Sequence, residues 1–263
     1  MPVVPPVEHA PALAPPGVAW REWLTALADL VFPPFCPLCH RRLGPGRRDP
    51  LCGGCWEGLE RIDAPVCRVC GVPLPRFAPG PADTGHLCGG CRRRRPRFAY
   101  VRSATRYGDL VREAIHAFKF GRRRALAAPL GDLLAETARR ELSGLRVDLL
   151  IPVPLHARRE RERGFNQAEL LARRLSAAWG VPVAKAVLSR RVATTPQTEL
   201  TAPARRANVR GAFAVPRPDA VRGRHVLLVD DLMTTGATAG ECAACLTREG
   251  AASVGLLTVA RVL

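Results

Sequence analysis

The sequence predicts an α/β domain, a parallel sheet flanked by helices, preceded by a small cysteine-rich domain. Three observations carry this. Eight of the ten cysteines fall between Cys36 and Cys91, as four CxxC pairs. Beyond about Tyr100, short apolar runs alternate with stretches of helical periodicity, the pattern of strands and crossover helices. One of those runs, Val226 to Val229, ends in two acids and a threonine–glycine loop.

The cysteine pairs are Cys36/Cys39, Cys52/Cys55, Cys67/Cys70 and Cys88/Cys91. The short turn inside each pair aims two thiolates at one point, and two such knuckles complete a tetrahedral zinc site. The spacing reads C-x2-C-x12-C-x2-C and then C-x2-C-x17-C-x2-C, and LCGGC occurs at Leu51 to Cys55 and again at Leu87 to Cys91. Two tandem zinc ribbons over residues 35–98 follow, holding two structural zinc ions, because four-thiolate sites leave no open position. Sequential pairing of knuckles is the natural reading, and interleaving the first with the third satisfies the same chemistry. Disulfides need an oxidising compartment that nothing here implies; an iron–sulfur cluster is the other four-cysteine alternative.

Residues 1–17 are rich in proline, lack the basic start and apolar stretch of a signal peptide, and are expected to be a disordered tail. Over residues 18–34, Trp20, Trp23, Leu24, Leu27, Leu30 and Val31 recur at helical spacing and predict an amphipathic packing helix ended by Pro33 and Pro34. No apolar run reaches the length of a membrane span, so a cytoplasmic protein is the default expectation.

Residues 99–263 form the second domain. Val147 to Leu155 and Ser253 to Val259 join Val226 to Val229 as expected strands. Leu110 to Phe118, Leu126 to Leu142, Gln167 to Trp179 and Ala239 to Arg248 read as helices. In parallel sheets, ligands sit beyond the carboxyl ends of the strands. There the chain places Asp230 and Asp231, then Leu232 and Met233, then Thr234-Thr235-Gly236-Ala237-Thr238 at a helix start. Backbone N–H groups and hydroxyls at a helix N-terminus cradle phosphate. Adjacent carboxylates accept hydrogen bonds from vicinal ribose hydroxyls or hold a hydrated magnesium ion. Together these describe a ribose 5-phosphate site; the bland alternative is a solvated loop with a helix cap.

The net charge of +17 comes almost wholly from arginine, since lysine occurs only at Lys119 and Lys185. The clusters Arg92 to Arg95 with Arg97, and Arg122 to Arg124, suit a polyanion such as single-stranded DNA, with Phe98 and Tyr100 able to stack on bases. A compositional bias towards arginine, alanine, proline and glycine accounts for the same charge. For Phe98 and Tyr100 burial is the expected state, and Cys242 and Cys245, a fifth CxxC on a helix, are expected to be buried and inert.

The stretch VLLVDDLMTTGAT, Val226 to Thr238, resembles the diphosphoribosyl-binding motif of type I phosphoribosyltransferases. It matches at the apolar strand, both acids, both threonines and the glycine; Leu232 and Met233 are bulkier than is usual there. More narrowly, the chain resembles the ComF family, competence-associated phosphoribosyltransferase-like proteins with zinc ribbons in front. That resemblance also rests on IPVPLHARRERERGFNQAELLA (Ile151 to Ala172), TPQTELTAPARRANVRGAF (Thr195 to Phe213) and YGDLVREAIHAFKFGRRRALA (Tyr107 to Ala127).

The resemblance implies a phosphoribosyl diphosphate ligand bound with magnesium. Asp230 and Asp231 would touch the ribose and Thr234 to Thr238 its 5-phosphate, with Arg158, Arg159 and Arg163 on the pyrophosphate side. For these arginines a solvated helix face paired with Glu160 and Glu162 is the alternative, and for Asn166 and Gln167 helix capping. A hood over Thr195 to Asn208 would add Gln197, Arg205 and Asn208. The resemblance implies either a phosphoribosyltransferase of nucleoside metabolism or a non-catalytic single-stranded-DNA-binding protein of natural transformation. DNA-uptake or recombination proteins would be its partners.

Overall fold

The computed structural model describes residue 27 and residues 34–44, 50–75, 86–121, 123–192 and 202–263, with side chains described for all but 202, 203, 205 and 206. The expected proline-rich tail, nearly all of the expected first helix, Arg122, Gln197 and the Arg205 side chain lie outside them. Two one-and-a-half-turn helices come first, α1 (Gly53–Glu57) and α2 (Gly89–Arg93). Then follow β1 (Tyr100–Arg106), α3 (Asp109–Lys119), α4 (Ala127–Glu141), β2 (Leu149–Pro152), α5 (Ala157–Arg163) and α6 (Gln167–Trp179). After β3 (Ser189–Arg190), α7 (Ala202–Val209) and β4 (Phe213–Ala214) come β5 (His225–Met233), α8 (Ala237–Arg248) and β6 (Ser253–Arg261).

The sheet is parallel throughout, in the order β1-β6-β5-β2. Beyond β2, Leu150 bridges Val183, its N–H donating to the Pro182 carbonyl at 2.9 Å. Alternation along β5 sorts the core. Leu227 and Val229 face α3, α4 and α6, meeting Phe118, Leu130, Leu134, Leu171 and Leu175. Val226 and Leu228 face the other way, meeting Cys242, Ala243 and Leu246 of α8. Strands covered on both faces explain the unbroken apolar runs. Cys242 and Cys245 are buried in this core, as expected.

β5 is longer than the apolar run Val226 to Val229 suggested. It continues through both acids because β6 runs on to Arg261 and supplies partners, pairing Leu232 with Ala260 and Met233 with Arg261. The hairpin β3–β4, with Ser189 opposite Ala214, was not expected; it brackets residues 191–212.

The segment linking the cysteine knuckles runs beside β1 and shields the outer edge of the sheet. Ile62 N–H donates to the Ala104 carbonyl at 2.9 Å, Arg106 N–H to Glu60 at 2.8 Å and Val101 N–H to Val69 at 2.7 Å. An exposed parallel edge would be a template for unwanted pairing. Leu43, Leu51 and Leu59 sink into the same apolar cluster as α3 and α4, so the first knuckle pair shares a core with the α/β domain.

Candidate metal centres and ligand cleft

The eight N-terminal cysteines gather into two sets, Cys36, Cys39, Cys52 and Cys55, and Cys67, Cys70, Cys88 and Cys91, with the four sulfurs of each set within 4.8 Å of one another. Pairing is therefore sequential. Cys39 Sγ lies 3.5 Å from Cys52 Sγ, and Cys70 Sγ 3.6 Å from Cys88 Sγ. Those spacings approach the roughly 3.7 Å edge of a tetrahedron with Zn–S bonds of about 2.3 Å. Each short helix starts on a knuckle. Cys52 Sγ accepts the N–H of Cys55 and Cys88 Sγ that of Cys91, both at 3.4 Å. Burial works against the thiolates of Cys36 and Cys67, but backbone N–H groups outweigh it and bring both down to about 6. The donor set and its electrostatics fit two structural zinc ions.

At the carboxyl ends of β2 and β5 lies a cleft of about 880 Å³. One wall is the loop from Met233 through Thr234 to α8. Gly236 caps that helix at φ 70°, where a side chain would be strained and its Cβ would come within 3.0 Å of Met233 Cε. Thr235 Oγ1 accepts the Ala237 N–H at 3.4 Å. Thr234, Gly236, Ala237 and Thr238 line the cleft, so the opening N–H groups of α8 and their dipole stand beside it.

The two acids of β5 point to opposite sides of the strand, because side chains alternate. Asp231 is 2% exposed, and both of its oxygens are engaged. Lys119 Nζ, at the end of α3, sits 2.5 Å from Oδ2, and Gln167 Nε2, in the first turn of α6, donates to Oδ1 at 3.2 Å. Gln167 Oε1 in turn accepts from Arg163 Nη1 at 2.5 Å. Burial opposes the Asp231 charge, but Lys119 outweighs it and holds the carboxyl below its ordinary range. The half-buried Asp230 has no such cation in contact among the described residues. Burial, and then the charge of Asp231, push its carboxyl well above the ordinary range. Lys119 thus favours the charged form of Asp231, while burial favours the neutral form of Asp230.

Opposite the loop stand Arg159 and Arg163 of α5 with Arg190 of β3. Desolvation, and the proximity of Arg159, lower the pKa of Arg163 and Arg190. Guanidinium groups close enough to repel one another suit an anion placed between them. Arg158 stands apart: it pairs with Glu162 at 2.8 Å on the exposed side of α5 and is not part of the cleft lining. Asn166 caps α6, accepting the Ala168 N–H at 3.0 Å, and its Nδ2 donates to the Val153 carbonyl at 3.1 Å, tying the loop after β2 to that helix. Gln167 is no cap but the bridge between Arg163 and Asp231.

Sequence reasoning left Lys119 and Arg190 without a role. Lys119 did carry a signal: it is one of two lysines in a chain whose cations are otherwise arginine.

Residues 27–92 match the family model described as a double zinc ribbon domain, and residues 161–263 match that described as a phosphoribosyl transferase domain. The chain is 35% identical over 238 residues to the DNA utilization protein YhgH of Escherichia coli K12, covering 89% of this chain and all of that one. It is 30% identical over 218 residues to competence protein F of Haemophilus influenzae (81% of this chain, 91% of that one). It is 29% identical over 221 residues to competence protein ComFC of Bacillus subtilis (81% and 85%). With ribbons in front, an α/β domain behind and likeness running through both, the chain belongs to the ComF family.

Proposed function

We propose that the cleft binds a phosphoribosyl 1-diphosphate together with magnesium, in the service of DNA uptake or utilization. The observation that supports this best is a pair of acids between an anion-binding helix start and a guanidinium cluster. That order of charges suits a molecule with phosphate at one end, a diol in the middle and pyrophosphate at the other. The N-terminus of α8 and the hydroxyls of Thr234, Thr235 and Thr238 take the 5-phosphate. Asp230 faces the ribose hydroxyls, while Asp231, fixed by Lys119 and Gln167, supplies the negative field beneath the ring. Arg159 and Arg163, with Arg190 beside them, meet the pyrophosphate. Magnesium, when bound, would neutralise diphosphate charge, and Asp230 is the carboxyl best placed to accept hydrogen bonds from its hydration shell.

The chemistry such a site supports is phosphoribosyl transfer. The bond from the anomeric carbon to the pyrophosphate oxygen breaks, its electron pair leaves with pyrophosphate, and an acceptor lone pair forms the new bond. Carboxylates stabilise the oxocarbenium-like transition state while guanidinium groups hold the leaving charge.

Calorimetry of the diphosphate with magnesium tests the reading. Exchanging both acids, Asp230→Asn with Asp231→Asn, should weaken binding at least about tenfold, the loss of one charge-assisted hydrogen bond or more. Unchanged affinity would refute it. Because the Asp230 carboxyl is raised, engaging it as a carboxylate expels a proton. Affinity should therefore fall as pH drops, and the binding heat should depend on the buffer's ionisation enthalpy. Pyrophosphate release, with and without DNA and candidate bases, separates a transferase from a binding protein.

A second reading has its own support. Arg92, Arg93, Arg94 and Arg95 are exposed, directly after the last zinc knuckle, and the relatives' names speak of DNA utilization and competence. Single-stranded DNA on this patch is compatible with a separate ligand cleft.

A further inference from the structure

The far wall of the cleft is unlike the rest. Phe120, the residue after Lys119, lines the cleft and is 65% exposed. An exposed aromatic is unremarkable on a surface; within a cleft beside Asp230, Asp231, Arg159 and Arg163 it is a recognition element. His116, one helical turn earlier, lies 4.9 Å from the ring at a 43° tilt. The Arg163 guanidinium stands 5.4 Å from the ring centroid. A ring with a cation on one face and much of its surface still open suits a flat, electron-rich partner. Tyr107, Arg112 and His116 line the same wall and offer donors to carbonyl oxygens or ring nitrogens.

The placement adds meaning. Arg163 touches both halves of the cleft: it leans over Phe120 and, through Gln167, reaches Asp231. Lys119 binds Asp231, and Phe120 is its chain neighbour. The ring therefore sits at the junction of the acid pair and the guanidinium cluster. On the reading above, that is where the anomeric carbon and its attacking group must meet.

We infer that Phe120, His116 and Arg163 form a stacking ledge for a nucleobase-type ring at the acceptor end of the cleft. This rests on the sugar-phosphate reading for its role, but not for its existence. Two sources supply such a ring, a free base and a base of a single strand.

The probe is 2-aminopurine, whose fluorescence falls on stacking. It is used once as the free base and once as a single residue within oligothymidylate. Quenching is expected with at least one. Quenching by the free base alone assigns the ledge to a small acceptor, and quenching within the strand alone assigns it to DNA. Phe120→Ala should weaken the quenching interaction at least about fivefold, the lower end of what one aromatic–base stack contributes. Phe120→Trp should keep it, which separates stacking from misfolding. No quenching with either probe, or equal affinity in Phe120→Ala, overturns the ledge. Calorimetry of the phosphoribosyl diphosphate on the same wild-type protein keeps the two readings apart. A base that stacks while the diphosphate fails to bind sinks the sugar-phosphate reading alone; the reverse result sinks the ledge alone.

Discussion

Replacing Lys119 by methionine removes the cation that, among the described residues, forms the ion pair with the buried acid. Methionine keeps most of the stem's volume and removes the charge, so lost packing contributes little. What remains is Asp231, 2% exposed, with Gln167 still donating to its Oδ1. Breaking a buried pair on one side costs about 3–5 kcal/mol. The carboxyl has an escape, however, which is to take up a proton. From an ordinary value of 3.8, protonation at pH 7 costs roughly 4 kcal/mol at about 1.4 kcal/mol per unit, so the penalty is capped near that figure. At pH 5 the cap falls to roughly 1.5 kcal/mol on the same arithmetic. The sign follows from the direction of the shift. In the wild type the depressed Asp231 stabilises above its unfolded value and loses that contribution as pH falls. In Lys119→Met, burial raises the carboxyl instead, and the deficit grows with pH. Urea unfolding followed by the fluorescence of Trp179 on α6 measures both. The expected outcome is a deficit of about 2–4 kcal/mol at pH 7 that shrinks to about 1–1.5 kcal/mol at pH 5. Adding Asp231→Asn should restore most of the loss at pH 7. A deficit below about 0.5 kcal/mol, or one equal at both pH values, would refute the claim that Lys119 neutralises a buried charge.

Metal analysis of reduced, folded protein should find two zinc ions per chain, and one or none would contradict two separate four-sulfur sites. Cys52→Ser should lower that count and also destabilise the α/β domain, because Leu51 and Leu59 flank the knuckle and sit in the core shared with α3 and α4; an unaffected α/β transition would argue against a shared core. Single-stranded DNA should bind with a log–log salt slope of about −3 to −4 if the five arginines between Arg92 and Arg97 all engage phosphates. Arg93→Ala, Arg94→Ala and Arg95→Ala together should flatten that slope about equally for all sequences, and an unchanged slope would remove this patch from DNA binding.

What the sequence disclosed was local. The helix Gln167–Trp179 is legible to the residue, since Ala168, Leu171 and Leu175 recur at helical spacing between the Asn166 cap and a left-handed Gly180. The helix start after Thr234 and Thr235 is legible because small and hydroxylated residues follow the strand in consecutive positions. What stayed hidden was non-local. Nothing near Asp230 says that β5 continues past it; that depends on where β6 ends. Nothing near Asp231 says that Lys119 will reach it, because α4, β2, α5, α6, β3, α7 and β4 lie between α3 and β5 and only the fold brings them together. Arg190 is hidden for the same reason, placed by a two-residue hairpin whose pairing with Phe213 and Ala214 has no periodic signature. The arginines of α5 were read as a set, yet helical geometry divides them: residues one apart face different ways, so Arg159 and Arg163 turn to the cleft while Arg158 turns to Glu162.

The ribbons and the cleft are also less separate than a two-part sequence suggests. Phe98, seven residues beyond Cys91, is 7% exposed. A Cβ added to Gly236 or Gly240 would lie 3.9 Å from its ring, so the ring packs behind the first turn of α8. Arg97 pairs with Glu241 of that helix at 3.4 Å, and the other oxygen of Glu241 accepts the Gly211 N–H at 3.1 Å, at the end of the segment bracketed by β3 and β4. On the far side, Arg261 of β6 donates to the carbonyl of Cys70. Each tie alone is modest, and the Arg97–Glu241 pair is too exposed to contribute much. Their arrangement matters more than their sum. A helix N-terminus must hold its N–H groups in one direction to receive an anion, and the surface behind that of α8 is supplied by the strap that leaves the last knuckle. Anything that shifts that strap, whether loss of metal at Cys67, Cys70, Cys88 and Cys91 or a polyanion drawn to Arg92 through Arg95, acts on the back of the loop that opens α8.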